Sequence, residues 1–128
     1  MSGGASSSVA TVARTGASSA RLRTLLGTSF ACWGPDQSGL DDAALVLSEL
    51  VGNAVRHATG DVMQVRLRRT GRVLRISVRD GSPVSPRPRT AAVDDESGRG
   101  MQIVEALSHR WGWEPVPGGK VVWAEVPC

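Results

Sequence analysis

Glu49 and Asn53 stand four residues apart in a segment of helical periodicity. That spacing puts their side chains one turn apart on the same side, within roughly 5–6 Å at Cβ. A carboxylate beside an amide oxygen suits Mg²⁺ chemistry: the amide oxygen is a hard ligand, and the carboxylate can orient or deprotonate a nucleophile. The pair equally fits a polar helix edge that meets only water. Asp80 continues the two-residue period of Leu74, Ile76 and Val78, so strand geometry turns its carboxylate to the buried face, where an unpaired charge is costly. It needs a donor, and neither histidine nor lysine is near it in the chain. An amine on a ligand, such as the exocyclic amino group of adenine, is one candidate; a simple Asp80-Gly81 turn is the alternative.

Gly98-Arg99-Gly100 precedes a short apolar helical segment. Backbone amides at a helix N-terminus approach phosphate oxygens closely where glycine removes the side chain, and Arg99 adds a planar cation. Two glycines at a loop exit and a solvated arginine explain the same residues. His57, one turn beyond Asn53, reads as a packing or capping residue. Trp111, Trp113 and Trp123 read as core or sheet-face residues.

The elements that must position these groups follow from periodicity. A short helix is expected over Ala17–Leu26, with Leu22, Leu25 and Leu26 on one face, and Gly34-Pro35 breaks the chain after it. Ser38 and Asp41 resemble a capping box ahead of the strongest helix, Leu40–Ala58, whose Ala43, Leu47, Leu50, Val51, Ala54 and Ala58 form one arc. Thr59-Gly60 ends it. Met63, Val65 and Leu67, then Leu74, Ile76 and Val78, alternate with polar residues on either side of a turn at Thr70-Gly71, which predicts an antiparallel hairpin with one wet face. Ser82–Ser97 is proline-rich, then acidic, with no apolar period. A loop of that length inside a domain has a job or is disordered. A helix over Met101–Leu107 and strands over His109–Glu114 and Lys120–Val126, joined at Pro117-Gly118-Gly119, complete an α+β arrangement of helices on a sheet.

The chain has 128 residues, 41% of them hydrophobic, which suits a single domain over residues 16–128. Residues 1–15 are rich in Ser, Ala and Gly and read as a disordered tail. The absence of a long apolar run or a secretion signal predicts a cytoplasmic protein with no membrane partner. Cys32 and Cys128 offer neither a disulfide framework nor a metal cluster. The net charge is +3 with pI near 9.6, almost wholly from arginine, since Lys120 is the only lysine. Such a balance mildly favours phosphate and acidic partners. Arg21, Arg56, Arg66, Arg75, Arg89 and Arg110 read as dispersed and the tryptophans do not interleave with them, so no direct nucleic-acid contact is expected.

Taken in order, "SELVGNAVRHA" (Ser48–Ala58), "VRDGSP" (Val78–Pro83), "ESGRGMQIVEAL" (Glu96–Leu107) and "GGKVVWAEV" (Gly118–Val126) resemble the GHKL ATPase/kinase superfamily, in particular the small anti-sigma-factor serine/threonine kinases and their stand-alone ATP-binding relatives. The likeness runs from about Ala17 to Val126. It implies a Bergerat-type two-layer sandwich, with helices packed on one face of a mixed, mainly antiparallel sheet, and ATP as cofactor under a lid formed by Ser82–Ser97. By the same resemblance Glu49 is the general base, Asn53 holds Mg²⁺ through the phosphates, Asp80 accepts from the adenine amine and Gly81 lets backbone approach the base. Gly98, Arg99, Gly100 and Met101 belong to the phosphate-binding segment, the two glycines acting as hinge and phosphate contact. The chain departs from the pattern at Val121, where relatives offer a threonine near the adenine, and at Met101, which replaces a leucine.

The function so implied is an Mg-ATP-dependent protein serine/threonine kinase that phosphorylates an anti-anti-sigma partner, binds a sigma factor as antagonist in transcription regulation, and pairs as a homodimer as related kinases often do. The alternative is an ATP-gated interaction module without turnover. A histidine kinase would need a helical dimerisation segment for which the stretch before Leu40 has no room.

Overall fold

The computed structural model describes the backbone of residues 6–57, 60–81 and 96–128, and all their side chains except those of 57 and 96–99. Among these residues the elements run β1 (Ser6–Ala13), α1 (Ser18–Trp33), α2 (Leu40–His57), β2 (Val62–Thr70), β3 (Val73–Asp80), α3 (Glu96–Leu107), β4 (Arg110–Val116) and β5 (Gly119–Pro127). The strands form one sheet in the order β1-β2-β3-β5-β4. Every adjacent pair is antiparallel, so the sheet expected to be mixed is antiparallel throughout its described strands.

Hydrophobic alternation builds this sheet. Met63, Val65 and Leu67 on β2, Leu74, Ile76 and Val78 on β3, and Val122, Ala124 and Val126 on β5 are all buried against the helices. The β2–β3 hairpin closes through Gly71-Arg72, with Thr70 opposite Val73 and Gly71 at φ 61°. A two-residue connection with positive φ matches the twist of its strands, and glycine reaches that φ without steric cost. The β4–β5 hairpin also has a two-residue connection, Pro117-Gly118, but here the positive φ (79°) falls on the second residue, Gly118, after a proline.

The N-terminal tail reading needs correction. Residues 1–5 lie outside the described residues, but Ser6–Ala13 pairs along the whole free edge of β2, from Ser6 opposite Arg69 to Ala13 opposite Val62. Composition misled because an edge strand is held chiefly by its backbone ladder; one inward valine, Val12, suffices to seat it in the core. Arg14 then fastens the strand's exit, donating to the carbonyl oxygens of Val55 (2.8 Å) and Gly60 (2.6 Å) and so bonding a carbonyl in the last turn of α2.

α1 continues seven residues beyond the expected end at Leu26, because Leu22, Leu26 and Phe30 keep the helical period and Gly27 only weakens it. It stops at Gly34, φ 134°. α2 buries Ala43, Leu47, Leu50, Val51 and Ala54, as its arc predicts, and Val46, which the arc did not include; Ala58 and Thr59 lie outside the described residues. Its start is not the expected capping box. Ser38 N–H donates to Asp36 Oδ1 (2.8 Å), and Gly39 supplies the first helical carbonyl to Ala43 N–H (2.9 Å). Gly39 has φ 85°, and a Cβ there would run into the carbonyl oxygen of Pro127, so this corner admits only glycine. Asp41 and Asp42 occupy the first turn, where negative charge is favourable. α2 packs on β3 and β5 and is flanked by α1 and α3.

α3 starts at Glu96, five residues before the expected Met101, so Gly98-Arg99-Gly100 lies within the helix rather than ahead of it. The expected lid falls mostly on residues 82–95, outside the described residues.

Strand alternation also overturns the reading of the arginines. Arg66, Arg68, Arg75, Arg79 and Arg110, which look scattered in the sequence, all stand on the sheet face away from the helices, together with Trp123. Trp111, by contrast, packs against the core.

Candidate functional site between α2, α3 and the end of β3

Asn53 is buried, with 8% of its surface exposed, and Glu49 one turn earlier is half-buried. Both sit on α2 at the margin of its apolar arc, the margin that meets α3. The contact is close. A Cβ on Gly100 would lie 2.6 Å from Glu49 Oε1 and 3.9 Å from the guanidinium of Arg56. Glycine at 100 therefore lets α3 close down on the Glu49 carboxylate, a packing role that sequence reasoning had not assigned to it. An α-helix leaves its first-turn N–H groups without intrahelical partners, and Gly98 falls in that turn. The side chain of Arg99 is outside the described side chains. Met101 is buried in the core cluster, so its contribution is packing of α3.

Asp80 is buried at the C-terminal end of β3, as its phase predicts. It has a donor within the chain, at a residue distant in sequence, where a reading confined to nearby histidines and lysines does not reach. Lys120 Nζ donates to Asp80 Oδ1 at 3.0 Å, and the two side chains are 2% and 1% exposed. β3–β5 pairing sets residue 80 opposite residue 120, so a separation of 40 in sequence vanishes in the sheet. The signal was present: the chain's only lysine is in phase with buried Val122, Ala124 and Val126. Only glycine can precede it, because a Cβ on Gly119 would collide with the carbonyl oxygen of Asp80. Gly81 and Gly118 line an open cavity of about 380 Å³ beside Asp80, whose other walls include Thr11, Gln64 and Arg79 from the sheet and no described residue of α2 or α3.

Val121, expected near the adenine, pairs with Arg79 and faces the opposite side of the sheet. The residue beside Asp80 is Lys120. Among the described residues no three His, Cys, Asp or Glu side chains converge as a metal cage, and no helix is long and apolar enough to cross a membrane.

A five-stranded antiparallel sheet with its helices on one face, an acid–amide pair on the central helix and a buried aspartate at a strand end define a fold of the GHKL ATPase type. Residues 12–126 match the profile of the histidine kinase-like ATPase domain, and the chain belongs to that family. Among solved structures it is similar to the RsbU and RsbW domains of Rv1364c from Mycobacterium tuberculosis, with a TM-score of 0.67 and 23% identity. The match covers 96% of this chain and 33% of that one, so this chain spans about a third of that structure's length. No curated protein matches it.

The family implies ATP as ligand. The residues present fit it: a buried asparagine and a carboxylate one turn apart, a glycine that lets α3 approach that carboxylate, and a buried aspartate at the end of β3.

Proposed function

We propose that the chain is an Mg-ATP-dependent serine/threonine protein kinase of the anti-sigma type, acting on a serine-bearing anti-anti-sigma partner and able to sequester a sigma factor. The observation that carries the reading is the pairing of Glu49 with Asn53 on α2 beneath Gly100, because a nucleotide-binding domain that only holds its ligand has no need of a base there.

In this reading Asn53 offers its amide oxygen to Mg²⁺, a hard donor for a hard cation. Glu49 accepts the proton of the incoming serine hydroxyl, and Gly100 keeps the space beside that carboxylate clear. Asp80, with Gly81 beside it, accepts a hydrogen bond from the amino group of the base. A carboxylate accepts through two oxygens, so the ion pair with Lys120 and a ligand amine are compatible. Gly98, Arg99 and the first turn of α3 receive phosphate oxygens. Bound Mg-ATP supplies the transferable phosphoryl group.

The test is phosphate transfer to a partner recovered from native extract in the presence of ATP. Glu49→Ala should keep ATP binding and lose transfer by ~10²–10⁴-fold, the usual contribution of a general base. ATP binding with no transfer by the wild type would overturn the kinase reading. If partner capture also depended on ATP and ignored Glu49→Ala, the chain would be an ATP-gated interaction module.

A further inference from the structure

The sheet face turned away from the helices is not a plain solvated surface. On β2 it carries Arg66 and Arg68, and on β3 Arg75, Ser77 and Arg79, with Arg68 opposite Arg75 and Arg66 opposite Ser77. The guanidinium of Arg75 lies 4.0 Å from the centre of the Trp123 ring, which holds it flat. Between these side chains runs a groove of about 300 Å³ whose floor is Ser77 and Val121. Its neutralising groups lie to one side: Glu125 is bonded to Arg110 at 2.6 Å and lies 3.8 Å from Arg75. Arg66 and Arg68, on the other side, form no ion pair among the described residues. Val9, 47% exposed, stands on β1 on the far side of Arg66 from the groove.

We infer that this face is a docking surface for an acidic segment of another protein, one that places carboxylates on Arg66, Arg68 and Arg79 and an apolar side chain against Val9 or Val121. Charge complementarity selects the partner. A second copy would set this arginine face against its like, because a two-fold contact repeats the same patch on both sides. A nucleic-acid strand would want the face of Trp123 for base stacking, and Arg75 already covers it. Arginine forks, in contrast, match carboxylates in pairs of parallel hydrogen bonds. Arg66 and Arg68 lie on the sheet face opposite the α2–α3 site, so the inference does not depend on the kinase reading, although Arg79 borders both this groove and the cavity beside Asp80.

The probes are a fluorescein-labelled Glu/Leu peptide and a fluorescein-labelled oligo-dT, titrated with full-length protein at low salt and followed by anisotropy, alongside light scattering for oligomeric state. The peptide should bind, and Arg66→Glu/Arg68→Glu should weaken it by ~10-fold or more, whereas Arg21→Glu/Arg23→Glu on α1 should change it less than ~2-fold. Both pairs are exposed side chains, and circular dichroism confirms that each variant is folded. The inference is overturned if the peptide fails to bind, if both variants lose affinity equally, or if oligo-dT binds more tightly through the same arginines. It is overturned too if the wild type forms a dimer that the Arg66/Arg68 variant cannot.

Discussion

Two glycines separate packing that can yield from packing that cannot. At Gly100 the atom an added Cβ meets is the far end of the Glu49 side chain, which can rotate away; at Gly119 it is the backbone of Asp80, which cannot. Gly100→Ala should therefore leave the melting temperature unchanged or slightly raised, since alanine in a helix gains up to ~1 kcal/mol over glycine. It should nonetheless depress phosphate transfer by displacing the carboxylate. Gly119→Ala should unfold the protein at markedly lower temperature. Thermal melts of the two, read beside a transfer assay, check both outcomes. The Asp80–Lys120 pair gives a sharper residue-scale test. Removing one member of a buried pair strands the other charge, so Lys120→Met should cost ~3–5 kcal/mol of stability in urea titration. Adding Asp80→Asn to it should restore most of that loss, because the double variant buries no uncompensated charge.

At the scale of elements, β1 and the β4–β5 hairpin make opposite demands. β1 contributes one buried valine and a complete ladder along the edge of β2. A chain lacking residues 1–13 would leave that edge and Met63 uncovered, and exposed edges recruit other chains. Such a truncation should lower the melting temperature and aggregate on heating, measured by light scattering. In the β4–β5 hairpin, the hydrogen bond from Arg110 holds the Glu125 carboxyl below its ordinary pKa against the opposing cost of burial, and the charges of Arg110 and Arg75 add to the lowering. A depressed folded pKa contributes stability that is present above the unfolded value and lost as pH falls through the folded one. Stability should thus decline on the acid side of the ordinary glutamate range, and Glu125→Gln should flatten that part of the melting-temperature profile by lowering the neutral-pH melting temperature toward its acid value.

For the whole molecule, most of what was read correctly depended on local period, although the period that carries α1 on to Trp33 was cut short at Leu26. The α2 arc, both hairpins and the inward phase of Asp80 were legible because each is a repeat of two or 3.6 residues over a single element. What was missed depended on pairing between distant segments. Lys120 became the partner of Asp80, and Arg66, Arg68, Arg75 and Arg110 became one surface, only when the strand order β1-β2-β3-β5-β4 was formed. β1 escaped notice for the same reason, since its stability resides in the strand it joins. The start of α3 was misplaced because Gly98 and Gly100 are poor helix formers held helical by their neighbours, and at Gly100 by close packing on Glu49.

The central claim, that the buried aspartate at the end of β3 reads the base of a bound nucleotide, is tested most directly by calorimetric titration of ATP and of inorganic triphosphate, each with Mg²⁺. The wild type is compared with the Asp80→Asn/Lys120→Met pair variant, in which no stranded charge confuses binding with folding. The predicted result is that ATP loses ~10-fold or more in affinity while triphosphate changes less than ~2-fold, as expected when one hydrogen bond to a charged acceptor is removed. Equal loss for both ligands, or unchanged ATP affinity, would contradict it.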